Sequence, residues 1–289
     1  MTRKEFFDRF GTGVHLLDGA TGSNLMKAGM PKNVCAEQWV LAHPDAILNL
    51  QNAYLEAGSE IVYAPSFGAN RLLLERHGLA DKVGTFNRGL AALSKGAFAG
   101  KCLVAGDLTT TGQPIDVEDE DDFRDFVDVY KEQAEALGEG GVDLFVVETM
   151  MGVAECRAAV EAIRSLCDLP ILCTLSVQAN GKCYFDGSAA EAAKVLSGMG
   201  ADAVGVNCSC GPEQMETIIR DIQTQTWLPV IAKPNAGLPT VNAAGEAVYA
   251  MGPEAFAQNM LPLLEAGASI VGGCCGTTPA HIRVLKALI

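Results

Sequence analysis

The sequence predicts a single (β/α)8 barrel, an α/β fold, as one domain over residues 1–289. Eight short runs rich in β-branched residues alternate with longer stretches of helical periodicity. Several runs are continuously apolar, as expected for parallel strands that are covered on both faces. Eight such units also suit the length of the chain. A doubly wound open sheet is the alternative, and the barrel is favoured because eight strand–helix units leave no room for a linker or a second domain.

The predicted strands are short, and the run from Asp143 to Glu148 shows their apolar character best. They are expected at residues 14–18, 60–66, 102–107, 142–148, 170–176, 203–207, 229–235 and 268–273. The stretch 44–57 has apolar residues at helical spacing, at Ile47, Leu50, Tyr54 and Ala57. Further helices are expected at 122–139, 152–166, 188–198, 211–225, 253–266 and 279–288.

Composition excludes several classes of function. The net charge of −14 argues against a nucleic-acid-binding surface. No segment has the apolar length of a membrane span, and residues 1–8 lack the apolar core of a signal peptide. We therefore expect a cytoplasmic protein whose ten cysteines stay reduced. The acidic run 116–122 is expected to be solvated charge at the start of a helix, with a docking patch for a basic partner as the alternative.

In a (β/α)8 barrel the residues that perform chemistry lie at the carboxyl ends of the strands. Cysteines occupy two of these ends, because Cys208 follows the sixth predicted strand and Cys274 and Cys275 follow the eighth. Only the seventh strand separates them, so the three thiols can converge. Glycines flank the pair and give the backbone freedom to turn both thiols to one point, and Thr278-Pro279 predicts the start of a helix.

Three thiolates around one point form a zinc site with one open tetrahedral position, which is typical of catalytic zinc. Cys210 could act as a fourth ligand or replace Cys208, but it lies beyond the strand end. The alternatives are that Cys274 and Cys275 are buried small residues or a redox-active vicinal pair. Soft anionic ligands suit a substrate thiol at the open position better than an activated water, because zinc holds a coordinated thiol deprotonated.

Two carboxylates at strand ends predict a site for an ammonium group. Asp18 ends the first strand and Glu148 ends the fourth. Backbone N–H groups in the turn Gly19-Ala20-Thr21-Gly22 could bind a carboxylate. A thiol, an ammonium group and a carboxylate together describe a thiol amino acid. The competing interpretation is that each acid satisfies a loop amide or caps a helix, and we favour it for Asp107.

The sequence resembles the zinc-dependent homocysteine S-methyltransferase family over nearly its whole length. The motifs that carry the resemblance are Asp18-Gly19-Ala20-Thr21-Gly22, Glu148-Thr149, Gly205-Val206-Asn207-Cys208, Pro234-Asn235-Ala236-Gly237 and Gly272-Gly273-Cys274-Cys275-Gly276-Thr277-Thr278-Pro279-Ala280-His281-Ile282. The resemblance implies a barrel with zinc on Cys208, Cys274 and Cys275, homocysteine sulfur as the fourth ligand, and methionine as the product. It further implies that Asp18 and Glu148 contact the substrate ammonium group, and that Asn207 and Asn235 shape the pocket.

The remaining motifs are most similar to the homocysteine module of cobalamin-dependent methionine synthase. They are Ser66-Phe67-Gly68-Ala69-Asn70-Arg71, Gly106-Asp107 with Thr111-Gly112, and Lys233-Pro234-Asn235-Ala236-Gly237-Leu238-Pro239. The resemblance implies a methylcobalamin donor on a separate corrinoid protein or domain. Two alternatives stay open: S-methylmethionine or betaine as the donor, and a non-catalytic homocysteine- and zinc-binding module that docks a corrinoid partner. The first loop departs from the methionine synthase pattern at Thr21-Gly22-Ser23, where glycine followed by threonine is common, so no single residue is assigned to the substrate carboxylate.

Overall fold

Eight parallel strands form one sheet in the computed structural model, which describes residues 1–116, 118–242 and 247–289. In chain order the strands are β1 His15–Leu16, β2 Ile61–Tyr63, β3 Leu103–Thr109, β4 Leu144–Met150, β5 Ile171–Leu175, β6 Ala203–Asn207, β7 Val230–Lys233, β8 Thr240–Val241, β9 Ala247–Val248 and β10 Ala268–Val271. Strands β8 and β9 pair with each other as an antiparallel hairpin, outside the main sheet. The other eight all overlap the strands predicted from the sequence.

The main sheet curves into a nearly closed barrel with the order β1-β10-β7-β6-β5-β4-β3-β2. Several hydrogen bonds connect the segments of its end strands, β1 and β2, and two of them show how the barrel closes. The Glu60 N–H donates to the Leu16 carbonyl at 2.8 Å, and the Tyr63 N–H donates to the Asp18 carboxylate at 2.9 Å. The prediction of a (β/α)8 barrel is therefore confirmed, and Asp18 takes part in closing it.

Twelve α-helices are described. They are α1 Arg3–Phe10, α2 Gly22–Lys27, α3 Ala36–Ala42, α4 Pro44–Ala57, α5 Arg71–Glu75, α6 Val83–Phe98, α7 Glu120–Glu139, α8 Val153–Leu166, α9 Ala189–Met199, α10 Glu216–Gln223, α11 Pro253–Glu265 and α12 Pro279–Leu288. The seven predicted helices correspond to α4 and α7 to α12. The sequence reading did not identify α1, α2, α3, α5 or α6. A short 3-10 turn, Pro212–Gln214, precedes α10 within the stretch predicted as one helix.

The interior of the barrel is a closed apolar core, which explains why several strands read as continuous apolar runs. Residues of β5 and β6 are buried throughout. At the amino end of the barrel, Phe6 and Phe10 of α1 are fully buried and stack at 4.9 Å. With that end filled, the open end is the one formed by the carboxyl ends of the strands, where chemistry is expected.

The acidic run lies at the start of α7, as predicted. Asp119 is the N-cap, and its side chain accepts hydrogen bonds from the backbone N–H groups of Asp121 and Asp122. Val117 lies outside the described residues. None of the described helices has the length and apolar character that crossing a bilayer requires.

Candidate active site

Three cysteine sulfurs converge at the carboxyl end of the barrel. Cys208 directly follows β6, and Cys274 and Cys275 follow β10. Their Sγ atoms all lie within 4.8 Å of one another, and the sulfurs of Cys208 and Cys275 are 3.8 Å apart. All three are free thiols. Cys210 is not part of this group; it is buried in the apolar core at 6% exposure.

The turn that carries Cys274 and Cys275 needs glycine for space as well as for backbone freedom. Gly276 has a φ of +82°, which a side chain rarely tolerates. Gly273 lies outside that region, but a Cβ there would be 2.4 Å from Thr277 Oγ1. Thr277 in turn donates to the Cys274 carbonyl at 2.7 Å, so its position is fixed by the turn. The sequence predicts that the glycines give backbone freedom and leave room around the metal, and at Gly273 the close packing against Thr277 is a further reason.

Thr278 begins α12 as expected from the sequence. It forms a capping box with His281, and Pro279 occupies the first helical turn. The turn and the helix start therefore form one rigid unit behind the two sulfurs.

Asparagine side chains hold two strained backbone positions next to the sulfurs. Thr149 has a φ of +60° and Cys208 a φ of +64°, and each such residue costs about 1–3 kcal/mol. The Asn207 side chain accepts from the Thr149 N–H at 2.8 Å and donates to its hydroxyl at 2.7 Å. The Asn235 side chain donates to the Cys208 carbonyl. Both asparagines thus fix the backbone that aims the site, and Asn207 Nδ2 also lies 3.9 Å from the Cys274 sulfur.

A buried lysine, which the sequence reading did not single out, lies between the predicted acids. Lys233 Nζ is 3.2 Å from Asp18 and 3.4 Å from Glu148, and its side chain is 3% exposed. It also lies 3.8 Å from the centre of the Tyr63 ring. Burial alone would lower the pKa of Lys233, but Glu148, Tyr63 and Asp18 together raise it well above its usual range. The lysine is therefore charged and already paired with both acids.

A pocket of about 260 Å³ opens beside the sulfurs. Of the predicted site residues, those that line it are Gly19, Ala20, Thr21, Glu148, Cys208, Cys274 and Cys275. Asp18, Asn207 and Asn235 lie behind this lining. Residues that the sequence did not assign to the site also line the pocket, among them Ser23, Glu37, Tyr63, Phe67, Asp107 and Lys233.

The turn between β1 and α2 is held rigidly against the cysteine turn. The Asn24 side chain donates to the carbonyls of Ala20 at 2.7 Å and Thr277 at 2.9 Å, and the Tyr54 hydroxyl donates to Ala20 at 2.8 Å. The Ser23 hydroxyl, which lines the pocket, is buried and has no partner among the described residues. This corner of the pocket thus offers a hydrogen-bond donor that no described residue uses.

Comparison with known proteins identifies the family. A family model described as homocysteine S-methyltransferase matches residues 15–289. The chain belongs to the homocysteine S-methyltransferase family. It is 29% identical to the methionine synthases of Mycobacterium leprae and Mycobacterium tuberculosis over 94% of its own length. The chain spans about a quarter of the length of these relatives, 24% in each case.

Solved structures support the same fold for this homocysteine S-methyltransferase family member. The homocysteine methyltransferase MmuM from Escherichia coli matches with a TM-score of 0.77 in its metallated form and 0.80 in its oxidised form. Each comparison covers 99% of both chains at 22% identity. The carboxyl transferase domain of Rhizobium etli pyruvate carboxylase matches at a TM-score of 0.55 over 99% of this chain, so the barrel is shared more widely.

In this family member the three sulfurs fit a soft metal ion. Hydrogen bonds from Cys208 and Cys274 lower the pKa of Cys275 to about 3. The contact of Cys208 with Cys274 lowers the pKa of Cys208, but its contact with Cys275 and its burial outweigh that effect and raise the pKa to about 12. Hydrogen bonds within the cluster therefore favour negative charge on one of its sulfurs. Thiolates at this mutual spacing, with no disulfide between them, are the donor set that zinc prefers.

We expect Gly273→Val to weaken zinc binding although all three cysteines remain. A valine Cβ would overlap Thr277, and the turn would have to shift by several tenths of an ångström or more, moving both neighbouring sulfurs. Changes in residues that support metal ligands typically reduce affinity by about 10- to 100-fold. Competition with a chromogenic chelator measures this affinity. Gly84→Val, in α6, where an added Cβ meets nothing within 4 Å, is the matched control, and unchanged zinc affinity in Gly273→Val would contradict the prediction.

Proposed function

We propose that this chain transfers a methyl group to the sulfur of homocysteine and forms methionine, using zinc held by Cys208, Cys274 and Cys275. The observation that carries the proposal is the convergence of three free sulfurs on a pocket that also contains carboxylates. The family supports homocysteine as the substrate, and both kinds of relative are named for reactions of this type. Because all ten cysteines are free, we place the reaction in the cytoplasm.

Zinc at the three sulfurs would supply one kind of chemistry, the binding of the substrate thiol in its deprotonated form at neutral pH. A free alkyl thiol has a pKa of about 8.5 and is mostly protonated there. The chain positions the site through its backbone: Asn235 and Asn207 hold the strained residues Cys208 and Thr149. Preorganised ligands of this kind favour metal binding because little rearrangement is left to be made.

The rest of the pocket suits the amino-acid end of homocysteine. Glu148 lines the pocket and presents negative charge for the substrate ammonium group. Asp18 lies behind the pocket lining and positions two residues that line the pocket, because it pairs with Lys233 and accepts from the Tyr63 N–H. Direct contact between Asp18 and the substrate remains a prediction. At the other side, the unpartnered Ser23 hydroxyl can donate to the substrate carboxylate. The Ala20 N–H already donates to Thr277 Oγ1 at 3.1 Å, so any backbone donors come from the other residues of the turn.

In the proposed reaction the homocysteine sulfur attacks the methyl carbon in line with the bond to its carrier. A carbon–sulfur bond forms, and the carrier leaves with the electron pair of the bond that breaks. The chain binds the amino-acid end and thereby fixes where the sulfur lies, so the donor meets an oriented nucleophile. The phenyl ring of Phe67, 40% exposed at the pocket lining, borders the side from which a donor can approach.

A methyl-corrinoid donor is the first candidate. The sequence motifs favour it, and the match to methionine synthases covers only about a quarter of those proteins. The donor would then be methylcobalamin carried by a separate domain or partner protein. S-methylmethionine or betaine is the second candidate, because each is a small molecule that needs no carrier domain. A non-catalytic module that binds homocysteine and zinc and docks a corrinoid partner would bind substrate without any turnover.

A donor screen tests these candidates. The zinc-loaded chain is incubated with L-homocysteine and, separately, free methylcobalamin, S-methylmethionine or betaine, and methionine is quantified by chromatography. We expect methionine from methylcobalamin, with the Cys275→Ala variant as the inactive control. Turnover with S-methylmethionine or betaine alone would replace the corrinoid proposal. Homocysteine binding without turnover of any donor, even with a corrinoid protein present, would support the non-catalytic module.

A further inference from the structure

The carboxylate of Asp107 differs from the other buried acids of the protein. Six acidic residues are buried in the described part of the chain: Asp18, Glu37, Asp107, Glu148, Glu155 and Asp202. Five of them receive a hydrogen bond or an ion pair from the protein. The Asp107 carboxylate receives none from any described residue, and its Oδ1 atom is fully buried without a partner.

Two of the other acids show how the chain normally satisfies a buried carboxylate. Glu155 accepts four hydrogen bonds of 2.6–2.8 Å, from the hydroxyls of Thr110 and Tyr130 and from the hydroxyl and N–H of Thr111. Asp202 pairs with Arg3 and Arg164, both at 2.7 Å. Against this background a carboxylate without donors is an exception that asks for an explanation.

Hydrogen bonds to Ser66 and Gln133 hold the backbone of Asp107. Its N–H donates to the Ser66 hydroxyl oxygen at 3.2 Å, and its carbonyl accepts from that hydroxyl at 2.9 Å and from the Gln133 amide at 3.4 Å. The side chain lines the pocket and is 5% exposed. It is therefore held in place with its carboxylate turned toward the space that a ligand would fill.

Register places Asp107 next to Glu148. On neighbouring strands β3 and β4, Asp107 pairs with Val146 and Thr109 pairs with Glu148. Residues two apart on a strand share a face, so Asp107 and Glu148 both point to the inside of the barrel. Each carboxylate lies over an apolar residue of the interior cluster, Ala105 and Val146 respectively.

Within the described residues, no cation forms an ion pair with Asp107. Lys233, which contributes the nearby positive charge, is within hydrogen-bonding range of Asp18 and Glu148 and lies over the Tyr63 ring. Burial raises the pKa of Asp107 well above its usual range, and the charge of Glu148 adds to the effect while Lys233 opposes it. Three carboxylates face one ammonium group, so without a ligand the buried Asp107 favours its uncharged form, and a cation bound beside it would favour the carboxylate.

We infer that Asp107 is a further substrate-binding residue, which together with Glu148 binds the ammonium group of homocysteine. The inference rests on the proposed function, because that function supplies the ligand. A bound ammonium group provides Asp107 with its missing hydrogen-bond donors and favours its charged form. Asp107 thus selects an α-amino thiol over a thiol that lacks the amino group.

The test compares two thiols that differ only in the amino group. Binding of L-homocysteine and of 4-mercaptobutanoate to the zinc-loaded chain is measured by calorimetry, with zinc content determined for each variant. In Asp107→Asn, we expect homocysteine affinity to fall by about 10- to 100-fold, the range for a lost charged hydrogen bond. Affinity for 4-mercaptobutanoate should change by no more than about threefold, since this ligand has no amino group to contact the Asp107 carboxylate. The control Asp128→Asn, on the exposed face of α7, removes the same charge and should change neither affinity.

Thermal unfolding without ligand gives a second readout. Asp107→Asn should unfold at the same temperature as the unchanged chain or a higher one, because the carboxyl group that it replaces receives no hydrogen bond from the described residues. A loss of affinity that is equal for both thiols, or a marked loss of thermal stability, would show a structural role and overturn the inference. Unchanged homocysteine affinity would overturn it as well, with the proposed function intact. Failure of the unchanged chain to bind homocysteine would overturn both.

Discussion

Replacing Cys275 by alanine should remove zinc from the chain and abolish methionine formation. Cys275 lies 3.8 Å from Cys208 and has the lowered pKa within the sulfur cluster, so its loss removes the sulfur that most readily carries negative charge. Two remaining cysteines cannot complete the three-ligand site. Changing residues that merely support a ligand costs about 10- to 100-fold in affinity, so loss of a ligand should cost more. Elemental analysis should find about one zinc per unchanged chain and close to none in the variant.

Cys210→Ala provides the matched control for this experiment. Cys210 lies two residues beyond Cys208 but is buried in the apolar core, and burial raises the pKa of its thiol to about 11. Its replacement should leave zinc content and the rate of methionine formation unchanged, with a stability loss of about 1 kcal/mol from the small cavity. Full activity in Cys275→Ala would refute the proposed zinc site. Loss of zinc in Cys210→Ala would assign Cys210 as a ligand.

The strands of this barrel could be predicted well from the sequence, whereas five of its helices could not. Helix α6 shows why. Parallel strands are buried on both faces, so runs such as Leu144–Met150 stand out by composition alone. Helix α6 has buried polar residues, Asn87 and Ser94, on its inner face. It also contains Gly84, Gly89 and Gly96, which weaken helical propensity. Its apolar period is therefore interrupted, and only tertiary packing reveals it.

For the site, sequence reasoning could name strand ends but not the distances between side chains. It placed Cys208 and Cys274 near each other because the barrel topology brings their strands together. The roles of Lys233 and Asp107 depend on which partners reach them across the barrel. Lys233 is 215 residues from Asp18 in the chain. A lone charged residue within the apolar run 229–235 was the available signal that Lys233 had an unusual role.

Replacing Lys233 by methionine should give the largest loss of stability among these variants. Methionine has a similar length but no charge, so Asp18 and Glu148 would lose their cation while remaining buried. Breaking a buried ion pair by removing one partner typically costs about 3–5 kcal/mol. Homocysteine binding should weaken too, because the lysine fixes the positions of both acids beside the pocket. Urea unfolding of the metal-free chain at pH 7.5 measures the free energy of unfolding.

The loss of stability in Lys233→Met should become smaller at acidic pH, and the pKa shifts of Asp18 and Glu148 give the direction of this change. Burial raises the pKa of Asp18 and of Glu148, whereas Lys233 lowers both, so the variant should raise them further. A folded-state pKa above the unfolded value of about 4 means that the folded state binds more protons. The penalty is then absent below about pH 4 and grows as pH rises from there toward the raised pKa of each acid.

Unfolding experiments at pH 5.0 and pH 7.5 should therefore show a smaller difference between Lys233→Met and the unchanged chain at pH 5.0. Lys95→Met is the matched control, because Lys95 forms an ion pair of 2.7 Å with Asp143 near the surface, where both side chains are about one-fifth exposed. Such pairs contribute about 1 kcal/mol or less. Equal losses in the two variants, or a Lys233→Met deficit that does not depend on pH, would show that Lys233 does not neutralise the acids of the pocket.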